Sequence, residues 1–324
     1  MKFKFHLYIF ASIAALTIPF DAIAGNSPVR APNPVPIVRA LLATPDDKID
    51  FLTAKLAIDK LIDPSIDVPA WRGEIDRMVV VVKAMAGPGA TTIQRLAAVR
   101  RFLYVDGDWN GHRPFRYDFA DPFGALHKRL PVYLTTRLGN CVSMPILFLI
   151  LADRMGVHVT LSTAPQHMFV KFIDDTTGKA YNLEATNGGL PERDEWIRQQ
   201  APVTDDAVRN GLYLKTLTRR ESVAVMAILL LEQYETTGQE QNLIGVAQLI
   251  QQVYPNNAEA MLAEGTAYAR LIQNTFRAKY PTPANIPASL RPVYLSYAQK
   301  TAQLFDRALA LGWRDAEHPV QTIR

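Results

Sequence analysis

R-L-G-N-C-V-S-M-P-I-L-F-L-I-L-A-D-R-M-G fills residues 137–156, V-H-V-T-L-S-T-A-P-Q-H-M-F-V-K-F fills 157–172, and A-Y-N-L-E-A-T-N-G-G fills 180–189. The first segment reads as a helix from 141 to about 155. Asn140 is placed to cap it, Pro145 falls in its first turn and Gly156 ends it, the usual proline-early, glycine-late order. Residues 144–152 are apolar nearly all round, which predicts a helix buried at the centre of its domain. Residues 157–162 alternate and include β-branched side chains, so they read as a strand. A second strand covers 167–173, D-D-T-T-G at 174–178 is a hairpin turn, and 180–183 pairs back. Cys141 thus opens a helix, His167 opens a strand, and Glu184 closes the neighbouring strand. In an antiparallel hairpin His167 and Glu184 lie at the same end, where their side chains can meet. The fold class expected is α+β, with the helix that carries Cys141 packed on an antiparallel sheet.

Those three side chains suit thiol chemistry. A helix N-terminus offers free N–H groups and the positive end of the dipole, a placement that favours a thiolate. The thiolate would attack an amide or ester carbonyl while His167 takes the thiol proton and later returns it to the leaving group. Glu184 would orient the imidazole. The backbone N–H of Cys141, with a side chain from the loop at 105–131, would hold the oxyanion. Each residue also has a plain reading: a small buried hydrophobe, a satisfied structural histidine of the kind expected at His158, a solvated glutamate before Gly-Gly. Their conjunction on suitable elements selects the chemical reading.

Composition narrows the alternatives. The chain has 324 residues, room for two domains, with 48% hydrophobic and 20% charged residues, enough to build packed cores. Residues 1–24 have the pattern of a cleavable export signal: Lys2 and Lys4, an apolar run from 7 to 20, and Ala22-Ile23-Ala24 before Gly25. That run is short of the ~20 residues a membrane span needs, so the expectation is a periplasmic protein without a stable membrane span. Removing the leader takes away Lys2, Lys4 and Asp21 and lowers the net charge from +4 to +3. No basic stripe interleaved with aromatics points to nucleic acid. One cysteine and the scattered histidines give no metal-ligand spacing, so neither a metal nor another cofactor is expected. A single unpaired cysteine in an exported chain is a candidate reactive thiol.

Outward from the centre, residues 25–37 hold four prolines and read as an extended linker. Helices are predicted from Thr44 as N-cap to Pro64, over about 71–86 before Gly87, and from about Thr91 through Leu103, together a helical lobe. The loop at 105–131 supplies Trp109, Asn110, His112 and Tyr117 as wall or oxyanion groups, although Trp109, Phe115 and Phe119 could equally pin it to the body. The pocket candidates retained are Asn140, Gln166, Trp109 and Tyr117. From Arg219 onward the chain reads as helical. Tyr234 and Tyr268 stand 34 residues apart, the tetratricopeptide period. Ala258, Gly265 and Tyr268 suit the first helix of such a repeat, and Phe305 and Ala308 the second, after an insert between Pro281 and Pro292. The expected division is a signal peptide at 1–24, a linker at 25–37, a cysteine-hydrolase domain with its helical lobe at 38–215, and an all-α tetratricopeptide-like region at 216–324.

The ordered blocks L-Y-V-D-G-D-W-N-G, D-P-F-G-A-L-H-K-R-L-P, R-L-G-N-C-V-S, A-P-Q-H-M-F-V-K-F and E-A-T-N-G-G resemble the transglutaminase-like superfamily, and most closely its SirB-type transglutaminase-core branch, over about 92–195. The resemblance implies a papain-like fold, with Cys141 at the nucleophile position and His167 at the histidine. Glu184 stands where the family usually shows aspartate before Gly-Gly, a departure that leaves a longer carboxylate to orient the imidazole. Many SirB-type members carry another residue, often proline, at the nucleophile position, whereas this chain keeps cysteine. The function expected is an exported cysteine protease or amidase acting on proteins or cell-wall peptides through Cys141, His167 and Glu184. The alternative is an inactive scaffold that binds a protein partner through its helical repeats.

Overall fold

The computed structural model describes residues 33–315, so the leader pattern and most of the proline-rich stretch lie outside the described residues. Helix α1, Pro34–Ala43, begins inside the stretch read as linker. Asn33 caps it by accepting the Val35 N–H, and Pro34 and Pro36 sit in the first turn, where a missing N–H costs nothing. The helix expected after Thr44 is interrupted. A short 3₁₀ turn spans Asp46–Lys48, and α2, Phe51–Ile62, starts afresh because the Asp50 side chain accepts the Thr53 N–H. Helix α3, Val68–Ala86, is capped by Asp67 and ends at Gly87, whose φ of 80° is open to glycine. A reciprocal capping box between Thr91 and Gln94 starts α4, Thr92–Tyr104.

Beyond the loop come β1, Arg116–Tyr117, then α5, Leu130–Thr136, and β2, Leu138–Gly139. The two short strands pair in parallel, with Tyr117 opposite Gly139. Helix α6, Ser143–Arg154, follows, and every residue from Ser143 to Ala152 is buried. At about 1.5–3 kcal/mol per large apolar side chain fully buried, this helix is the main organiser of the core. The sheet is antiparallel, in the order β3, Val159–Ala164, β4, His167–Ile173, β5, Ala180–Glu184, and β6, Leu190–Glu192. The fourth of these, β6, is a return strand after Gly189 that the sequence pattern does not announce.

Both sheet faces are covered. Leu161, Met168, Val170 and Leu183 belong to the core that holds α6, while Ala164 and Phe169 pack with Ile197, Val203, Ala207 and Leu212. The latter residues come from the segment carrying α7, Asp194–Gln200, and α8, Asp205–Arg209. The main core continues without a break into α9, Arg219–Met226, α10, Ile228–Thr236, α11, Glu240–Val253, and α12, Ala258–Ile272. Arg219 ties this helical part to the centre: its guanidinium donates to Asp153 at the end of α6 and to the Ile49 carbonyl, and lies 4.2 Å from the Phe51 ring centre. A π turn at Gln273–Arg277 and a 3₁₀ turn at Pro283–Asn285 separate α12 from α13, Arg291–Ala310. The two helices meet at Gly265, where an added Cβ would lie 2.9 Å from the Phe305 ring. The whole is a mixed α+β fold, mostly helical, with one small antiparallel sheet.

The loop that leads to α5 is held from below by a buried ion pair. Lys55 Nζ lies 2.6 Å from Asp59 Oδ1, and neither side chain is exposed. Lys55 also donates to the Lys128 carbonyl, and Asp59 accepts the Leu130 N–H. Burial pushes Lys55 down and Asp59 up, each toward its neutral form, and their mutual attraction opposes both shifts.

Candidate active site

The turn before α6 is built on Asn140 and Gly139. The Asn140 side chain is wholly buried and accepts the N–H groups of Val142 and Ser143, at 3.1 and 3.3 Å. Ser143 Oγ accepts the Asn140 N–H in return. This reciprocal cap occupies the turn at 141–142, so α6 begins two residues later than the sequence pattern suggests and Cys141 lies on the capping turn. One consequence favours chemistry. Asn140 consumes the next two N–H groups, while the Cys141 N–H has no acceptor among the described residues. Asn140 therefore acts by shaping the turn, its amide being committed to that cap and to the Gly124 carbonyl. Gly139 permits the approach, since a Cβ there would lie 2.5 Å from the Tyr133 ring and 2.7 Å from Ser143 Oγ.

Across from the turn, Pro165 and Gln166 join β3 to β4. Gln166 takes a φ of 55°, which few non-glycine residues adopt. Its carbonyl accepts from the Cys141 thiol at 3.5 Å, so its backbone, with the side chain exposed, faces the sulfur. His167 follows at once. Its ring stacks on Phe169, 6.2 Å between centres, and its Nε2 lies 2.7 Å from Glu184 Oε2. Cys141 acts on the same ring electrostatically, since its interaction, together with that of Glu184, raises the His167 pKa. The carboxylate engages Nε2, which leaves Nδ1 as the ring nitrogen not bonded to Glu184.

Glu184 is 1% exposed. Its other oxygen accepts both the N–H and the hydroxyl of Thr186, which fixes the carboxylate before it meets the imidazole. Burial raises the Glu184 pKa, but the His167 hydrogen bond and charge, with Thr186, more than offset this and hold it below the usual value. Burial likewise pulls His167 down. The interactions with Cys141 and Glu184 outweigh it, so His167 is pushed up to about 9. Both shifts favour the charged forms, an imidazolium held on a carboxylate.

Tyr117, opposite Gly139, borders this centre: burial and then the charges of Cys141 and Glu184 raise its pKa. Trp109 is committed elsewhere. Its indole N–H donates to the Arg101 and Val105 carbonyls at the end of α4, and the Arg101 guanidinium covers its face at 4.1 Å. Asn110 is buried against the same helix end, and His112 is clamped between Asp106 and Asp108. The loop thus uses Trp109 and Asn110 to close α4, and His112 to hold its own turn. What the sequence reading missed is Tyr104, whose hydroxyl is buried without a hydrogen-bond partner among the described residues and whose pKa is raised by burial and by the Glu184 charge. Thr186 was missed too, although a threonine two residues beyond a carboxylate is a recognisable turn signal. Among the described residues, no group of three or more His, Cys, Asp or Glu side chains is arranged to hold a metal ion.

Residues 69–227 match the family model described as the transglutaminase-like superfamily, so the chain carries a transglutaminase-like domain. Curated relatives include two proteins called UPF0162 protein, from the 9a5c and Temecula1 strains of Xylella fastidiosa. Each is 22% identical over 244 residues, 73% of this chain and 83% of the relative. No solved structure matches the chain.

Proposed function

We propose that this protein is a cysteine hydrolase of amide bonds, with Cys141 as nucleophile, His167 as acid and base, and Glu184 as the group that orients and charges the imidazole. The observation that carries the reading is His167 Nε2 held 2.7 Å from the buried Glu184 carboxylate, with the Cys141 thiol 3.5 Å from the carbonyl of the adjoining Gln166. In the first half-reaction the sulfur forms a bond to the substrate carbonyl carbon, the proton it gives up residing on His167. The unpaired Cys141 N–H suits the developing oxyanion. The C–N bond then breaks, and His167 gives the proton to the leaving amine. Water attacks the thioester, His167 takes a proton from it, and the acid leaves with the thiol restored. Hydrolysis is preferred to cross-linking because no site for an amine acceptor is marked.

The finer assignments belong to the same reading: a papain-like core, the SirB-type branch, a tetratricopeptide-like tail and action in the periplasm after loss of residues 1–24. The rival reading, a scaffold whose repeats bind a partner, draws on α13, which leaves Val293, Leu295 and Leu309 exposed.

The test is the pH dependence of iodoacetamide labelling of the protein, beside His167→Ala. Labelling that persists well below the free-thiol value of about 8.5, and weakens in the variant, supports the enzyme. A thiol that labels only at high pH, and equally in both proteins, sinks it and favours the scaffold.

A further inference from the structure

The segment at 118–127 carries large apolar side chains into solvent: Phe119 is 86% exposed, Phe123 71% and Leu126 58%. Three contacts join this segment to the nucleophile turn. Asp118 donates its N–H to the Gly139 carbonyl, two residues before Cys141. The Gly124 carbonyl accepts from the Asn140 amide, one residue before it. The Phe119 ring lies 5.0 Å from that of Tyr117, which in turn feels the charges of Cys141 and Glu184. Within the segment Asp118 Oδ2 lies 2.7 Å from His127 Nδ1, which sets its two ends side by side. Two further exposed apolar residues belong to strands that lead into the site: Leu138, beside Gly139 in β2, and Leu190, the cross-strand partner of Glu184.

Exposed apolar area gathered at one place marks a surface that something covers. Here it is continuous with the Cys141 turn and is held to it by hydrogen bonds. We infer that the mouth of the site binds a bulky apolar side chain of an extended polypeptide, so that the substrates are proteins and not cell-wall peptides. The inference rests on the acyl-transfer reading above and narrows its substrate. Cell-wall stem peptides present small and charged side chains, which bury little area on phenylalanine rings. An aromatic or long aliphatic side chain next to the scissile bond removes both its own surface and that of Phe119 and Phe123 from water. Discrimination of about tenfold or more follows from the methylenes it buries.

The experiment compares Cys141 labelling rates by peptidyl vinyl sulfones with Phe, Ala or Glu at either of the two residues before the warhead, read by mass spectrometry on the full chain. The expected result is that the Phe probes label at least about tenfold faster than the Ala and Glu probes. In Phe119→Ser/Phe123→Ser that ratio falls toward one. Leu126→Ser gives the same test should the double variant fail to fold. Equal rates for the three probes, on a thiol that iodoacetamide finds activated, overturn the inference and leave the hydrolase reading standing. A thiol inert to every probe and unactivated toward iodoacetamide overturns both. A dimer that the double variant turns into monomer, with no preference among probes, gives the patch to a second copy of the chain and overturns the inference as well.

Discussion

Glu184 reaches His167 along a diagonal of the sheet, Oε2 to Nε2 at 2.7 Å, although the two residues are not cross-strand partners. The pairing of Val170 with Leu183 puts Glu184 level with Phe169, two residues from His167 and on the same face. A diagonal of that kind spans about 7–8 Å between backbones, within reach of longer side chains. This is a physical use for glutamate where the resemblance leads one to expect aspartate. The extra methylene covers the offset while Thr186 holds the far oxygen.

Replacing Glu184 by Gln keeps the shape and removes the charge that supports the imidazolium. Iodoacetamide labelling of Cys141 at pH 6 is expected to fall at least about tenfold, with the rate profile moving toward that of a free thiol near 8.5. Glu184→Asp should fall between wild type and Gln, because its charge remains and its reach does not. Equal rates in all three would remove Glu184 from the mechanism.

Stability should depend on pH through the same pair. His167 is raised from 6.5 to about 9, so its contribution is fully present below about 6.5 and is lost as pH rises through 9. A shift of that size corresponds to at most about 3 kcal/mol. Glu184 is lowered from 4.5, so its share is present above that value and is lost as pH falls through the native one. Urea unfolding of wild type and His167→Gln at pH 6 and pH 9.5 checks the alkaline arm: the stability gap between the proteins should narrow at the higher pH.

Lys55→Met should cost about 3–5 kcal/mol, since it strands the Asp59 carboxylate in a site with no exposure. Asp59→Asn added to it should recover part of the loss. The amide carries no charge and still accepts from the Leu130 N–H. Chemical denaturation of the two variants measures this, and an unchanged single variant would contradict it.

Gly139→Ala tests the nucleophile turn. Its Cβ would meet Tyr133 at 2.5 Å and Ser143 Oγ at 2.7 Å, so either the ring or the cap must move. Overpacking of this kind costs typically about 1–3 kcal/mol. A lower melting temperature together with slower Cys141 labelling at pH 7 is expected. Loss of stability with labelling intact would mean the ring yields and the cap does not.

Much of this was legible in the chain because it is local. Residues 144–152 are apolar on every side, and only a helix at the centre of a core satisfies that pattern. The alternation at 157–173 and the turn at 174–178 gave β3 to β5, and the order of cysteine, histidine and carboxylate followed from those elements. That the Asn140 side chain holds the entry to α6 was readable, but the N-cap position itself falls on Val142, two residues later than the pattern suggests. What remained hidden depended on contacts distant in sequence. The two-residue offset between His167 and Glu184 is set by strand register, and the exclusion of Trp109 from the site by where α4 ends. The reciprocal Ser143 bond that moves Cys141 off the helix, and the tethering of an exposed apolar segment to Asn140 and Gly139, arise only once the chain has closed on itself. The sequence by itself determined which groups were present and on what elements. The tertiary structure decided which of them share a hydrogen bond, because the short contacts that raise His167 and hold Glu184 charged, against the burial that opposes both, exist only in the packed state.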